Sequence, residues 1–186
     1  MNRDPLRIVK SPTPPSDAEV VARIAAGDVG AVSALYDAYG ASLLAFATRI
    51  AGPAEAEDVV QDTFVRATRI ASSYDAATPS AKPWLFGIAS NVVRERRRSF
   101  GRFALALRRF GEQSRPNPAN LADVRRDLRI ALDGLSTAKR TVVILAEVEG
   151  FRCDEIAEML GVPVGTVYTR LHHARRELRR ALGGGS

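Results

Sequence analysis

Cysteine is almost absent from this chain: one thiol, Cys153, in 186 residues. A lone cysteine cannot close an intrachain disulfide, and this one lacks metal-ligand company at a recognisable spacing. No signal-peptide pattern and no uninterrupted apolar run of about 18 residues is present, so neither export nor a membrane anchor is expected, and a reducing, cytoplasmic setting follows. The only histidines, His172 and His173, are adjacent. Neighbouring positions on a helix point to different sides, so the two do not make a chelating i, i+4 pair. A phosphate-cradling glycine loop is missing too. These absences leave no catalytic constellation: no enzymatic activity, no cofactor and no metal is expected. Period-two strand patterns and internal repeats are also lacking, which points to an all-α chain.

What is abundant is arginine. The formal charge is +6 at pH 7 and the pI about 10.1, and the basic groups are nearly all guanidinium. A basic surface suits a polyanion, although it also serves solubility and acidic protein partners. Arginine tilts the balance towards nucleic acid, because its planar fork pairs bidentately with phosphate and guanine where lysine is a point charge. A hydrophobic content of 46% is enough for one medium core or two small ones.

Residues 1–16 combine Pro5, Pro12, Pro14 and Pro15 with charges and have no apolar period, so a disordered arm is expected. From Asp17 the pattern changes. Val20, Val21 and Ile24, then Val32, Leu35, Tyr36, Tyr39, Leu43, Phe46 and Ile50, recur at helical steps and predict a short helix followed by a long one. A third helix is predicted over 54–71, with Val59, Val60, Phe64, Ala67 and Ile70 inward. Glu55, Glu57, Asp58 and Asp62 come early in it and Arg66 and Arg69 late, which suits the helix dipole. After a polar loop, 72–83, Trp84 is expected to open a fourth helix that runs into seven arginines against one acid between Arg94 and Arg109.

Residues 100–120, with Pro116 and Pro118, read as a flexible basic linker between two small helical domains, 17–99 and 121–182. The second domain is predicted to hold helices over 122–133, 137–149, 154–160 and 164–182, with a flexible tail at 183–186. Each domain would thus contain four helices.

The sharpest local signal lies between Phe151 and Leu178. A short helix, the tight connection Gly161-Val162-Pro163-Val164 and a long basic helix follow one another, which is helix-turn-helix grammar. Ile156, Ala157 and Leu160 would face inward from the first helix, and Val167, Leu171, Ala174 and Leu178 from the second. Thr166, Tyr168, Thr169, Arg170, His172, His173, Arg175 and Arg176 are left on the outer face, where they can donate to phosphates and base edges in a major groove. An ordinary helical hairpin with a solvated basic face fits the same pattern. A second signal is Trp84 beside Lys82, Asn91 and the arginine cluster, a mixture that can hold unstacked single-stranded bases. Leu85 and Ile88 continue the face of Trp84, so a core role competes with a stacking one. Asp58, Gln61 and Asp62 share a face and could dock a protein; a solvated, dipole-matched helix start explains them equally well.

Two blocks together resemble the extracytoplasmic-function (ECF) group of the sigma-70 family of bacterial RNA polymerase sigma factors. One runs from Ala26-Gly-Asp to Tyr36, through Ala56-Glu-Asp-Val-Val-Gln-Asp-Thr-Phe-Val-Arg-Ala, to Pro83-Trp-Leu-Phe-Gly-Ile-Ala-Ser-Asn91. The other is the helix-turn-helix segment ending in Thr166-Val-Tyr-Thr-Arg-Leu-His-His-Ala-Arg-Arg-Glu-Leu178. The resemblance implies an initiation subunit with a region 2-like domain that binds core polymerase and melts the promoter, and a region 4-like domain that reads the upstream element as duplex. Implied partners are core RNA polymerase (β′ clamp and β flap), promoter DNA and an anti-sigma factor, with no direct membrane insertion.

By motif position, Pro163, Gly165, Thr166, Tyr168, Thr169, Arg170, His172, His173 and Arg176 would lie at the upstream duplex. Lys82, Trp84, Asn91, Arg94, Arg97 and Arg98 would lie at the melted downstream strand, and Asp58, Gln61 and Asp62 at the polymerase clamp. The linker would run towards the RNA exit path. Thr68, Asp62, Ser136 and Tyr168 depart from the usual family residues; of these, Ser136 is expected to cap its helix and Tyr168 to shift base preference. Two other readings fit the residues: a self-sufficient regulator whose helix-turn-helix binds an operator, and a nucleic-acid enzyme. The arginine-rich helix after Trp84 speaks against the former, since a sensing domain does not need it, and the missing catalytic groups speak against the latter.

Overall fold

The computed structural model describes residues 15–107 and 123–183, and among these it contains eight α-helices and no strand. Four form the N-terminal domain: α1 (Asp17–Ala25), α2 (Val32–Ala51), α3 (Pro53–Ile70) and α4 (Lys82–Leu107). Four form the C-terminal domain: α5 (Asp123–Gly134), α6 (Thr137–Glu147), α7 (Cys153–Leu160) and α8 (Val164–Ala181). The two-domain all-α organisation is the one expected. The arm up to 14, residues 108–122 and 184–186 lie outside the described residues. Helix α4 continues to Leu107, so the first part of the stretch read as linker is helical.

Local chemistry sets the helix ends. Ser16 caps α1 reciprocally: the Glu19 amide donates to Ser16 Oγ (3.3 Å) and the Ser16 amide donates to Glu19 Oε2 (2.7 Å). Pro53 occupies the first turn of α3, where no intrahelical donor is needed. Helix α4 begins at Lys82, ahead of the expected Trp84, because Pro83 is tolerated in a first turn and the Lys82 amide finds Ser80 Oγ at 3.1 Å. Ser136 stands at the N-cap of α6, but its side chain accepts no capping hydrogen bond, contrary to expectation.

The N-terminal core forms where the apolar faces of α1 to α4 meet. Phe46 and Phe86 are fully buried with ring centroids 4.9 Å apart, among Val21, Leu35, Leu43, Ile50, Val59 and Val92. Tyr36 and Ile70, expected inward, are 56% and 41% exposed. Tyr36 lies over Phe64 (centroids 5.2 Å) and beside Gly40. By length and composition alone the segment Val29–Ala51, with a mean hydropathy of 1.3, could cross a membrane. The sequence reading expected no such run; here its Leu35, Leu43, Phe46 and Ile50 are buried in the core.

The two domains touch along a seam. Helix α4 crosses α7 so closely at Gly87 that a Cβ there would stand 3.2 Å from the Met159 carbonyl oxygen. Phe86 meets Phe151 edge to face at 5.6 Å. The carbonyl of Ile50, near the C-terminal end of α2, accepts from Arg97 Nη2 (2.9 Å) and from Arg140 Nη1 (3.4 Å), which is favourable for cations at a helix C-terminus. Arg140 is 4% exposed and also donates to the Asp133 carboxylate and carbonyl, both at 2.8 Å. That pairing is what makes burial of its charge tolerable.

Candidate nucleic-acid interface

Helix α8 sorts its residues by its own period. Val167, Leu171 and Ala174 are buried against Ile156 and its neighbours, while Leu160 and Leu178 are half-buried at the rim. Gly161 ends α7 in the left-handed conformation, φ +62°, which a side chain would strain, and so turns the chain into Val162-Pro163 and the start of α8. Pro163, Gly165, Tyr168, Thr169, His172 and Arg176 are exposed; Thr166, Arg170 and His173 are half-buried. Tyr168 projects 60% of its surface. Thr169 Oγ1 donates back to the Gly165 carbonyl at 2.8 Å, leaving its lone pairs to accept. Arg175 is drawn away from this face by Glu147 of α6, to which it donates at 2.9 Å through Nε.

On α4 the side chains of Arg94, Arg97 and Arg98 are exposed and Asn91 is half-buried. Trp84 is half-buried with its ring edge-on to Tyr74 at 5.3 Å, so it packs against the core and still shows part of its face. Lys82 turns into the seam instead of outward. Its ammonium pairs with Glu149 (3.3 Å) and sits 5.3 Å and 5.1 Å from the ring centroids of Phe86 and Phe151, where cation–π attraction adds to the ion pair.

The loop between α3 and α4 is pinned by a polar network that the sequence pattern did not show, although Tyr39 stood in the apolar stripe of α2. Asp17 accepts from the Tyr39 hydroxyl and from the Ala81 amide (2.6 Å), and the Tyr39 hydroxyl lies 3.0 Å from Ser80 Oγ. Burial and the adjacent Asp17 carboxylate raise the Tyr39 phenol above its ordinary value, so it stays a donor. Tyr74 closes the loop by donating to the Thr78 carbonyl (3.1 Å). Apolar periodicity carries no trace of this network, because Asp17 and Tyr39 are joined through tertiary contact.

Asp58 and Asp62 of α3 are paired. Arg96 of α4 donates to Asp62 through Nε (3.0 Å) and Nη2 (2.7 Å), and its Nη1 reaches Asp58 at 3.4 Å. These hydrogen bonds hold the Arg96 guanidinium above its ordinary pKa, and Arg66 beside Glu95 holds that carboxyl below the usual range. Gln61 points elsewhere. It lies on a groove of about 630 Å³ between α2 and α3, lined by Val29, Tyr36, Leu44, Phe64 and Val65. Several of these large apolar side chains are substantially exposed, so the groove is an unpartnered apolar surface beside the expected docking acids.

The arginines of α4 and Arg170 of α8 converge. Arg94, Arg97, Arg98 and Asn91 share one cleft with Arg170, across the boundary between the domains.

Comparison with known proteins agrees with this architecture. Residues 35–103 match the family described as Sigma-70 region 2, and residues 125–178 match Sigma-70, region 4. ECF RNA polymerase sigma factor SigL of Mycobacterium tuberculosis is 37% identical over 167 residues, 87% of this chain and 94% of that protein. SigK of Mycolicibacterium vanbaalenii is 29% identical, covering 87% and 86%. Among solved structures, the sigma factor RpoE in complex with the anti-sigma factor NepR from Bartonella quintana is similar at TM-score 0.68 and 29% identity, over 81% of this chain and 96% of that one. CnrH in complex with the cytosolic domain of CnrY gives 0.64 at 29% identity, over 91% and 99%. With helix-turn-helix, basic helix and both conserved regions in this order, the chain belongs to the ECF group of sigma-70 family RNA polymerase sigma factors.

Proposed function

We propose that this protein directs promoter-specific initiation as a non-catalytic, cytoplasmic subunit of RNA polymerase. The observation that carries the reading is the two-faced α8: a buried stripe at Val167, Leu171 and Ala174, opposite an exposed face with Tyr168, Thr169, His172 and Arg176. A helix held from behind in this way can enter a major groove without loosening its own domain. Pro163, Gly165, Thr166, Arg170 and His173 complete the duplex-reading set. Trp84, Asn91, Arg94, Arg97 and Arg98 take the melted downstream strand, and Lys82 joins them once it leaves Glu149. Core polymerase docks at α3, with Gln61 and the Tyr36–Phe64 groove as the apolar contact and Asp58 and Asp62 acting with Arg96 as a preset polar rim. An anti-sigma factor controls access, by analogy with the similar complexes.

Run-off transcription with sigma-free core polymerase on a pool of candidate promoters tests the reading. Discrete transcripts that need the protein and disappear in Arg170→Ala/Arg176→Ala are expected. Sequence-specific duplex binding without transcripts or core binding would leave an autonomous regulator instead.

A further inference from the structure

The cleft shared by α4, α6 and α8 has a basic lining. It measures about 530 Å³, within the roughly 300–1,000 Å³ of small-molecule sites. Arg94, Arg97 and Arg98 line it from α4 and Arg170 from α8, and no acidic side chain among the described residues lines it. Its far wall is the first turn of α6, at Thr137 and Ala138. The first helical amide bond there is Arg140 to the Ser136 carbonyl, and Ser136 supplies no side-chain cap, so the preceding amides carry the positive end of the helix uncompensated. Independently, Ser90 lines the same cleft, is 5% exposed, and its Oγ has no hydrogen-bond partner. A buried hydroxyl without a partner is costly and rare. Here it stands beside four guanidinium groups and a bare helix N-terminus.

We propose that this cleft binds a small oligophosphate, with Arg94, Arg97, Arg98 and Arg170 neutralising the phosphates and the α6 N-terminus and Ser90 donating to them. The four guanidinium charges, with Arg97 keeping one Nη on the Ile50 carbonyl, balance the roughly four negative charges of a triphosphate chain. Leu160 and Val162 add an apolar wall that a nucleobase can cover. Because the ligand touches α4, α6 and α8 together, it ties the two domains closed. Resting on the proposed function, it also competes with promoter DNA for the same arginines.

The full-length protein is titrated calorimetrically with inorganic triphosphate and, separately, with guanosine triphosphate, at about 150 mM salt, where non-specific phosphate attraction is screened. One-to-one binding of either is expected, weakened about tenfold by Arg94→Gln or Arg170→Gln. Ser90→Ala separates a ligand group from a mere packing defect. It is expected to raise the melting temperature of the free protein, by removing the orphaned hydroxyl, and yet to weaken the ligand. Tighter binding of the nucleotide identifies a nucleoside polyphosphate; equal binding identifies the phosphate chain alone. No saturable binding of either, or affinity untouched by Ser90→Ala and Arg170→Gln, overturns the proposal. Core-polymerase capture and promoter opening, both measured without any nucleotide, fail or succeed independently of these titrations, so the two readings are judged separately.

Discussion

At the scale of single residues, two aromatics that share one periodic stripe on α2 have opposite fates. Phe46 is fully buried and stacks on Phe86. Truncation to alanine removes a ring from a site that cannot collapse, and Phe46→Ala is expected to cost about 3–5 kcal/mol in denaturant unfolding. Tyr36 leaves the core over Gly40 and stands at the mouth of the α2–α3 groove, 56% exposed. Tyr36→Ala is expected to change stability by less than about 1 kcal/mol while weakening capture of core polymerase in a pull-down or fluorescence titration. Large destabilisation with intact core binding would assign Tyr36 to packing alone. Both positions read the same way in sequence, since a helical period marks a face and not the width of what covers it. The groove was invisible for that reason, whereas Gln61 at its edge was legible from its place beside two acids.

At the scale of elements, the crossing of α4 over α7 is set by Gly87. The nearest atom to a Cβ there is backbone, the Met159 carbonyl oxygen at 3.2 Å, so a flexible side chain cannot yield to relieve it. Gly87→Ala is expected to push α7 away by a few tenths of an ångström, opening the seam while leaving the buried faces of each domain in place. Amide hydrogen exchange should then quicken in α7 and at the N-terminal end of α4 but not in α2. Unchanged exchange in α7 would mean that the crossing has slack. The helices themselves were readable from sequence to within a few residues, because caps, Pro53 and Gly161 act locally. Ser136 was misjudged as a cap because a residue type offers a bond without guaranteeing that the side chain turns to make it.

At the scale of the whole molecule, the seam brings charges together from both domains. Glu149, with a side chain 9% exposed, holds Lys82 at 3.3 Å and lies 4.0 Å from Arg49. Hydrogen bonds from Ser16, Arg23, Arg66 and Lys139 hold the carboxyls of Glu19, Asp28, Glu95 and Glu177, respectively, below their ordinary values. A carboxyl depressed in the folded state contributes stability above its ordinary pKa and loses it as pH falls through the folded value. The melting temperature is therefore expected to be flat from about pH 7 to 5 and to decline below about pH 4. These groups are largely exposed, so each contributes little and the decline should be gradual and shallower in high salt. A melting temperature that rises on acidification to pH 4 would contradict these assignments.

The sequence by itself determined the helices, the two-domain order, the buried and outer faces of α8 and the arginine supply of α4. All of these depend on periodicity and residue chemistry within one segment. Tertiary structure decided what those residues face: Lys82 against Glu149, Asp58 and Asp62 against Arg96, Asp17 against the loop between α3 and α4, and Arg170 in one cleft with Arg94. The physical reason is range. A helix is written in contacts three and four residues apart, whereas a pairing across 34 or 67 residues exists only after packing has closed the distance.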